Sequence, residues 1–441
     1  MAGACPRRCC RVKFAERDTI FALASGAAMA AVAVLRISGA DSGRILAALA
    51  GAVPPPRRAS LRRLRDARGE TLDRALVLWL PGPGSFTGED GAELHLHGGR
   101  AVLDGVSAAL VALGARPAEP GEFSRRAFLN GRIDLTEAEG VADLVAAETA
   151  AQRRQALAQM EGGLAARLTG WADRLRLLLA ACEARIDFPE EAMPEEAEDA
   201  AHAEMRVLGA EMQAALAEGA RAERLRDGLV FTVAGAPNVG KSSLVNALAG
   251  AEIAIVSAMP GTTRDVLETR LDLGGIPVAL IDTAGLRETD DPIEAEGVRR
   301  ARARAASADL VLAVGCPGIA APAHPDALVI ANKIDLGGTV PAGALGVSAR
   351  TGQGMAELRA ALAEAARRLT AAGNPAPLTR ARHRAALAEA TARLEAAAST
   401  DLAELAAEDL RLALRALGRI TGMVGVEDLL DTIFRAFCIG K

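Results

Sequence analysis

Between about residue 18 and residue 125 the apolar positions fall in short runs, Ala75 to Leu80 and Ala92 to Leu96 among them, bounded by turn residues. That is the spacing of strands. An Ala-rich stretch from Ala101 to Leu113 reads as a helix among them, so this part of the chain is α+β. After Asn130-Gly131 the period changes, and apolar residues recur every three or four positions from Leu135 to Ile186, the repeat of a helix with one buried face. Asp187-Phe188-Pro189 breaks that pattern, Glu190 to Asp199 reads as an acidic connector, and a further helix runs from Ala201 to Leu225. From Leu229 to about Leu369 strand-like and helix-like segments alternate, which predicts a parallel sheet with its functional loops at strand ends. Ala371 to Pro377 is a linker, and Arg380 to Phe437 is helical again.

Two helical stretches thus flank one α/β unit. The economical architecture inserts that unit into a single helical domain, which works when the two junctions lie close together. The expected divisions are an N-terminal extension over 1–17, an α+β domain over 18–130, a first helical part over 131–226, the inserted unit over 227–370 and a second helical part over 371–441. A chain of 441 residues, half of them hydrophobic, can fill several such cores. Its apolar runs, such as Val32 to Leu35 and Leu175 to Ala181, are interrupted by charge before they reach membrane-spanning length. A soluble, cytoplasmic protein with no membrane partner is expected.

A net charge of −5, from 51 basic and 56 acidic residues, does not by itself suggest nucleic acid, although a local basic face is all that phosphate contact requires. Aromatics make up 2% and tyrosine is absent, which argues against base stacking on an aromatic platform. Six scattered cysteines, with Cys5, Cys9 and Cys10 in an arginine-rich leader, give neither a disulfide framework nor a zinc site. His95 and His97 alternate onto one strand face and read as packing residues rather than ligands. Met1 to Glu16 is basic but short, and reads as a loose tail or an overcalled start rather than a transit peptide.

Four short motifs carry the chemistry. Gly235-Ala236-Pro237-Asn238-Val239-Gly240-Lys241-Ser242-Ser243 follows an apolar strand, Leu229 to Val233, and opens a helix. The backbone N–H groups of such a turn converge on a phosphate, and Gly235 and Gly240 let the chain curl where a Cβ would obstruct it. Lys241 reaches the outer phosphates and Ser242 offers its hydroxyl to Mg²⁺. About ninety residues on, Asn332-Lys333-Ile334-Asp335 closes a second apolar strand, Leu328 to Ile330. The carboxylate of Asp335 can accept from guanine's ring N–H and amino group, a donor pair that adenine lacks, so the nucleotide reads as GTP. Ser348-Ala349-Arg350 would complete the base pocket.

Between them lie Gly261-Thr262-Thr263-Arg264-Asp265 and Asp282-Thr283-Ala284-Gly285, which read as the two switches. Thr263 is placed to ligate Mg²⁺, Asp282 to hold a metal-bound water, and Gly285 to give its N–H to the γ-phosphate, whose loss would free both loops. Leu286 stands where Ras-like GTPases carry the glutamine that orients the attacking water, so a polar group must come from elsewhere. Glu288, Asp290, Asp291, Glu294 and Glu296 crowd the following segment; either one positions water or together they form a solvated acidic face. Asn238 either ligates a monovalent cation through its amide oxygen or braces the loop.

Further stretches stand beside these motifs: Asp18-Thr19-Ile20, Leu35-Arg36-Ile37-Ser38-Gly39, Ser85-Phe86-Thr87-Gly88-Glu89-Asp90 with Glu93 and His97-Gly98-Gly99, the run from Pro120 to Gly131, Asp134-Leu135, Ala142-Asp143-Leu144, and a terminal Phe437-Cys438-Ile439-Gly440-Lys441. With the four nucleotide motifs they make the chain resemble the MnmE (TrmE) family of tRNA-modifying GTPases from about residue 18 to the end. The resemblance implies a multidomain α/β and α protein: an α+β folate-binding and dimerising N-terminal domain, a helical domain, and an inserted Ras-like P-loop GTPase domain. It implies a potassium ion held by positions matching Asn238, Ser257, Met259 and Thr262, with Glu294 as the catalytic glutamate. GTP contacts would come from Asn238 to Ser243, Ser257, Thr262, Thr263, Asp282 to Gly285, Asn332, Lys333, Asp335 and Ser348 to Arg350, and magnesium ligands from Ser242 and Thr263. A 5-formyltetrahydrofolate-type cofactor would meet Arg36, Glu93, Arg132 and Lys441.

By the same resemblance the protein is a homodimer that joins an FAD-dependent partner, MnmG (GidA), in a heterotetramer. Together they install a carboxymethylaminomethyl or aminomethyl group at C5 of the wobble uridine of certain tRNAs. The chain departs from the family pattern at Ser25-Gly26-Ala27-Ala28-Met29-Ala30-Ala31, where relatives carry a Pro-Pro-Gly-Arg-Gly-Gly turn. Arg132 replaces a common lysine, keeping the charge and changing the hydrogen-bond geometry. Gly315 stands where an aspartate is usual, in a segment shortened between Leu312 and Leu328. Two other classes share the switch motifs: a ribosome-assembly GTPase of the Era or Der kind, which would carry a KH-like module, and a scaffold that binds GTP without hydrolysing it.

Overall fold

A computed structural model describes residues 18–26, 30–187, 195–250, 268–282, 306–324, 327–371, 377–424, 427–435, 437 and 440. Contacts divide the chain into two units, Met1–Ala138 with Gly422–Lys441, and Glu139–Thr421.

The first unit is built on β1 (Ile20–Leu23), β2 (Ala30–Ser38), β3 (Ser60–Arg65), β4 (Thr71–Leu80), β5 (Gly91–Gly98) and β6 (Arg116–Pro117), ordered β3-β4-β5-β2-β1-β6. Only the β1–β6 pair is parallel. Along β5 the side chains alternate, so Leu94 and Leu96 enter a core with Leu35, Ile37, Leu64 and Val77 while Glu93, His95 and His97 share the opposite face. The helices Ser42–Ala50 and Arg100–Ala112 cover the apolar face through Ile45, Leu46 and Leu110. The late helix Glu427–Arg435 belongs to this unit. Its Phe434 ring lies 6.3 Å from that of Phe128 and 5.3 Å from that of Phe437. Gly121, at φ 70°, allows this approach, because a Cβ there would strike the Phe434 carbonyl. The second helical part, expected over 371–441, therefore divides by contact at Gly422.

In the second unit, the helices Gly163–Asp187, Glu195–Asp227, Ala381–Ala398 and Ala403–Thr421 pack around Leu168, Trp171, Leu175, Met212, Leu387, Leu394, Leu410 and Leu417. The continuous helical pattern from Leu135 to Ile186 resolves into Leu135–Ala146, Ala150–Met160 and Gly163–Asp187. Thr149 starts the middle one with a reciprocal cap to Gln152, and Gly162 at φ 82° precedes the third. The acidic connector is shorter than expected, since a helix already begins at Glu195; a helix favours acidic residues in its first turn.

The same unit holds a second sheet of β7 (Leu229–Ala234), β8 (Glu268–Asp272), β9 (Pro277–Asp282), β10 (Leu310–Gly315), β11 (Ala327–Ala331) and β12 (Leu345–Gly346), ordered β12-β11-β10-β7-β9-β8. All neighbours are parallel except β8 and β9. Phe231, Val233, Leu280, Leu312, Val314 and Ile330 are fully buried within it, which is why β7, β9, β10 and β11 read as continuous apolar runs.

Candidate active site

The phosphate loop leaves the central strand β7 and ends where the helix Lys241–Ala249 begins, with Gly240 as its cap at φ 94° and Asn238 at φ 64°. Both glycines are required by close approach. A Cβ on Gly235 would strike the Val314 carbonyl, and one on Gly240 would strike the Asn332 amide. Lys241 is buried, and its ammonium donates to the carbonyls of Gly235 (2.9 Å) and Ala236 (3.0 Å), which fixes it across the loop. The Ser242 hydroxyl donates to Asp282 at the end of β9 at 2.6 Å. Serine and carboxylate oxygens side by side are the hard donors that magnesium takes, so this pair fits that ion. Ser243 follows on the exposed side of the first turn.

The base-side loop is tied to the phosphate loop. Asn332 is buried and donates to the carbonyls of Val239 (3.0 Å) and Gly240 (3.3 Å), while its amide oxygen accepts the N–H of Ala349 at 3.2 Å. Lys333, at φ 63°, donates to the Asn238 carbonyl at 2.5 Å. Ser348 is buried and donates to Asp335 at 2.7 Å, orienting a carboxylate that is itself exposed to a ligand. Asn332 is thus a latch between two loops 92 residues apart, and sequence reasoning gave it only a place beside the base. Arg350 is exposed. The Asn238 side-chain amide has no hydrogen bond among the described residues, and the loop is braced through its backbone carbonyl instead. Ser257, Met259, Thr262, Thr263, Thr283, Ala284, Gly285 and Glu294 lie outside the described residues.

A second polar constellation sits on the open face of the first unit's sheet. Arg36 and Glu93 are directly opposite in the β2–β5 register, and the guanidinium donates to one carboxylate oxygen through Nε (3.2 Å) and Nη2 (3.0 Å). The guanidinium carbon lies 5.8 Å from the Phe86 ring and 5.9 Å from that of Phe123. Arg132 flanks the same loop: a Cβ on Gly88 would meet its Cγ at 3.1 Å, and the Asn130 amide donates to the Thr87 carbonyl at 2.7 Å. The donor set, with a carboxylate and guanidinium beside an aromatic edge, suits a flat heterocycle bearing N–H groups. Lys441 lies outside the described residues. His95 and His97 do share this face, but neither is simply packed. His95 lies 3.5 Å from Glu93, and His97 is exposed and bonded to Asp73 at 2.7 Å. Burial pushes the Asp73 carboxyl up, and the His97 backbone N–H and ring outweigh it to leave it below its ordinary range.

One cluster escaped the sequence reading. Glu139 is buried and meets His383 (2.8 Å), Arg382 (2.8 Å) and Arg380 (3.2 Å), while Arg380 also meets Asp143 at 2.6 Å. Burial would raise the Glu139 carboxyl, but His383 and Arg382 outweigh it and hold it at about 2. Burial dominates at Asp143 and lifts it to about 6 against the pull of Arg380. Asp143, Arg380, Gln152, Gln155, Gln159 and Arg226 line an adjoining cavity of about 260 Å³. No local pattern signals the cluster, since Glu139 and His383 are 244 residues apart.

A parallel sheet whose central strand runs into this glycine turn, latched to an Asn-Lys-x-Asp loop, defines a guanine-nucleotide P-loop GTPase. Comparison carries the assignment to a family. The model described as the MnmE helical domain matches residues 135–438, and that of the GTP-binding protein TrmE N-terminus matches residues 19–132. The chain is 60% identical over 434 residues to the tRNA modification GTPase MnmE of Gluconacetobacter diazotrophicus, covering 97% of this chain and 99% of that one. It is 56% identical over 439 residues to that of Granulibacter bethesdensis, covering 97% and 100%. Among solved structures, the G domain of the T. maritima FeoB iron transporter shares 26% identity over 31% of this chain and 98% of its own, with a TM-score of 0.21. The chain belongs to the MnmE family.

Proposed function

We propose that this protein, a GTP hydrolase of tRNA modification by family, is stimulated by potassium and works on a tetrahydrofolate one-carbon unit. With an FAD-dependent MnmG partner it installs the carboxymethylaminomethyl or aminomethyl group at C5 of the wobble uridine of certain tRNAs. The observation that carries this reading is the pairing of two separately built sites in one chain: the latched guanine loops, and the Arg36–Glu93 pair beside Phe86.

In the first site, Asp335 selects guanine by accepting its two N–H donors, Lys241 and the loop N–H groups hold the phosphates, and Ser242 with Thr263 would hold magnesium. Magnesium, when bound, draws charge from the phosphate oxygens. Glu294 would position the attacking water in place of the glutamine that Leu286 displaces. The free amide oxygen of Asn238 supports its role as a potassium ligand, with Ser257, Met259 and Thr262. In the second site, Glu93 would accept from the N–H edge of a reduced pterin by the logic of Asp335, while Arg36, Arg132 and Lys441 offer positive charge to its carboxylates and carbonyls. Homodimerisation, a heterotetramer with MnmG, a cytoplasmic location, and the divisions at 130, 226 and 370 belong to the same reading. Among the described residues no helix is long and apolar enough to cross a membrane.

Phosphate release under multiple turnover in KCl and in NaCl tests the potassium reading, which equal rates would overturn. Glu294→Ala is expected to lower turnover by about 100-fold, the scale of a lost general base, with GTP affinity retained. Titration with 5-formyltetrahydrofolate tests the second site, and absence of binding removes the one-carbon reading.

A further inference from the structure

The edge of the first unit's sheet carries a charge pattern that folding alone opposes. Residues 57–74 hold seven arginines and three acids, in a chain whose net charge is −5. Arg57, Arg58, Arg63, Arg65, Arg68 and Arg74 are all exposed. Arg63 stands directly opposite Arg74 in the β3–β4 register, where like charges repel at the shortest cross-strand distance. No acidic side chain relieves them among the described residues. Asp73 is committed to His97, and Asp66 accepts the backbone N–H groups of Arg68 and Glu70 to shape the turn. A single arginine or lysine is enough to protect an edge strand; a repelling cross-strand pair costs stability, and such conflicts mark surfaces kept for binding.

The face these arginines occupy is informative. Arg63 and Arg65 alternate with Arg62 and Leu64, so they and Arg74 lie on the open side of the sheet, the side that carries Glu93 and Arg36 across β5 and β2. Three strand spacings and four residues along the strand separate Arg63 from Arg36, about 20 Å. The arginine-bearing stretch 57–74 has no Phe, Trp or Tyr, so it would grip phosphates without reading bases.

We propose that the β3–β4 arginine stripe is the surface on which the RNA backbone rides, holding a tRNA so that its target nucleotide reaches the neighbouring face around Arg36 and Glu93. The inference rests on the tRNA reading of the preceding section and adds where on the chain the RNA is held. Contact of this kind is sequence-independent and salt-dependent.

Fluorescence anisotropy of the full chain with an unmodified tRNA transcript, at stepped KCl concentrations, tests it. Arg63→Gln/Arg65→Gln/Arg74→Gln is expected to weaken binding about tenfold or more at 150 mM salt and to reduce the slope of log affinity against log salt by about 2. Arg153→Gln/Arg154→Gln/Arg368→Gln, an equal charge change on exposed arginines of the other unit, is expected to leave both unchanged. GTP hydrolysis without RNA should be the same in all three proteins. Wild-type binding that the first triple leaves intact overturns the stripe alone. Intact binding accompanied by a shift to monomer assigns the face to a second copy of this chain. Loss of binding to phosphatidylserine vesicles with tRNA binding unaffected assigns it to a membrane. A wild type that binds no tRNA removes the functional reading as well.

Discussion

At Gly240 one added carbon meets both a steric and a backbone obstacle. The residue sits at φ 94°, and its missing Cβ leaves room for the Asn332 amide that joins the two nucleotide loops. Gly240→Ala is expected to weaken GTP binding by at least about tenfold, matching 1–3 kcal/mol of backbone strain, as measured by calorimetric titration. Asp335→Asn replaces an acceptor pair with a mixed group facing guanine's donors, and a loss of about 100-fold in GTP affinity is expected. These positions were legible because the glycines, lysine and aspartate stand in a fixed local order. Glu139 was not legible, because its partners arrive from a distant helix. Its folded carboxyl titrates at about 2 against an ordinary 4.5, so its contribution is full above pH 4.5 and is lost as pH falls from 4.5 toward 2. Glu139→Gln is therefore expected to cost about 3 kcal/mol at pH 7 by urea unfolding, with the gap from wild type closing at acid pH.

At the scale of elements, the helix Ala150–Met160 matters more than its length suggests. Its N-terminal turn receives the β8–β9 hairpin, with the Ala151 N–H donating to the Gly275 carbonyl at 3.2 Å and Glu148 meeting Arg270 at 2.7 Å. Gln152 also reaches the Arg226 carbonyl at 2.9 Å, where the helix Glu195–Asp227 gives way to β7. Thr149→Val removes the cap that starts this helix and is expected to cost about 1 kcal/mol, seen as a lower urea midpoint. Faster exchange of the Ala151 amide than in wild type would locate the effect. The sequence pattern merged this helix with its neighbours because its apolar period continues through them. The Thr149-x-x-Gln152 cap was nevertheless written in the chain, and it marks the boundary that periodicity alone concealed. The central strands β7 and β9 of the second sheet were the easiest elements to read, because burial on both faces leaves them no polar alternation.

On the scale of the molecule, contacts that join distant parts of the chain decide what the pattern left open. Helical periodicity from Arg380 onward says nothing about which core a helix serves, and Phe434 is assigned by the fit between its carbonyl and Gly121. Gly121→Ala is expected to lift the segment after Gly422 from the first unit. Limited proteolysis should then cut near Arg435 at least several-fold faster than in wild type, while GTP affinity in the other unit stays the same. A rate equal to that of wild type would mean that the segment is held by other contacts.

The same arrangement has a consequence for how the protein is made. A ribosome delivers the β1–β6 sheet early and the helix that seats Phe434 only after the whole second unit. The first unit must therefore wait, with the Phe128 side of its surface uncovered, while the whole second unit emerges and folds. Its completion depends on a segment that follows the second unit in the chain, and a chain cut short between Thr421 and Phe434 would leave the first unit unfinished.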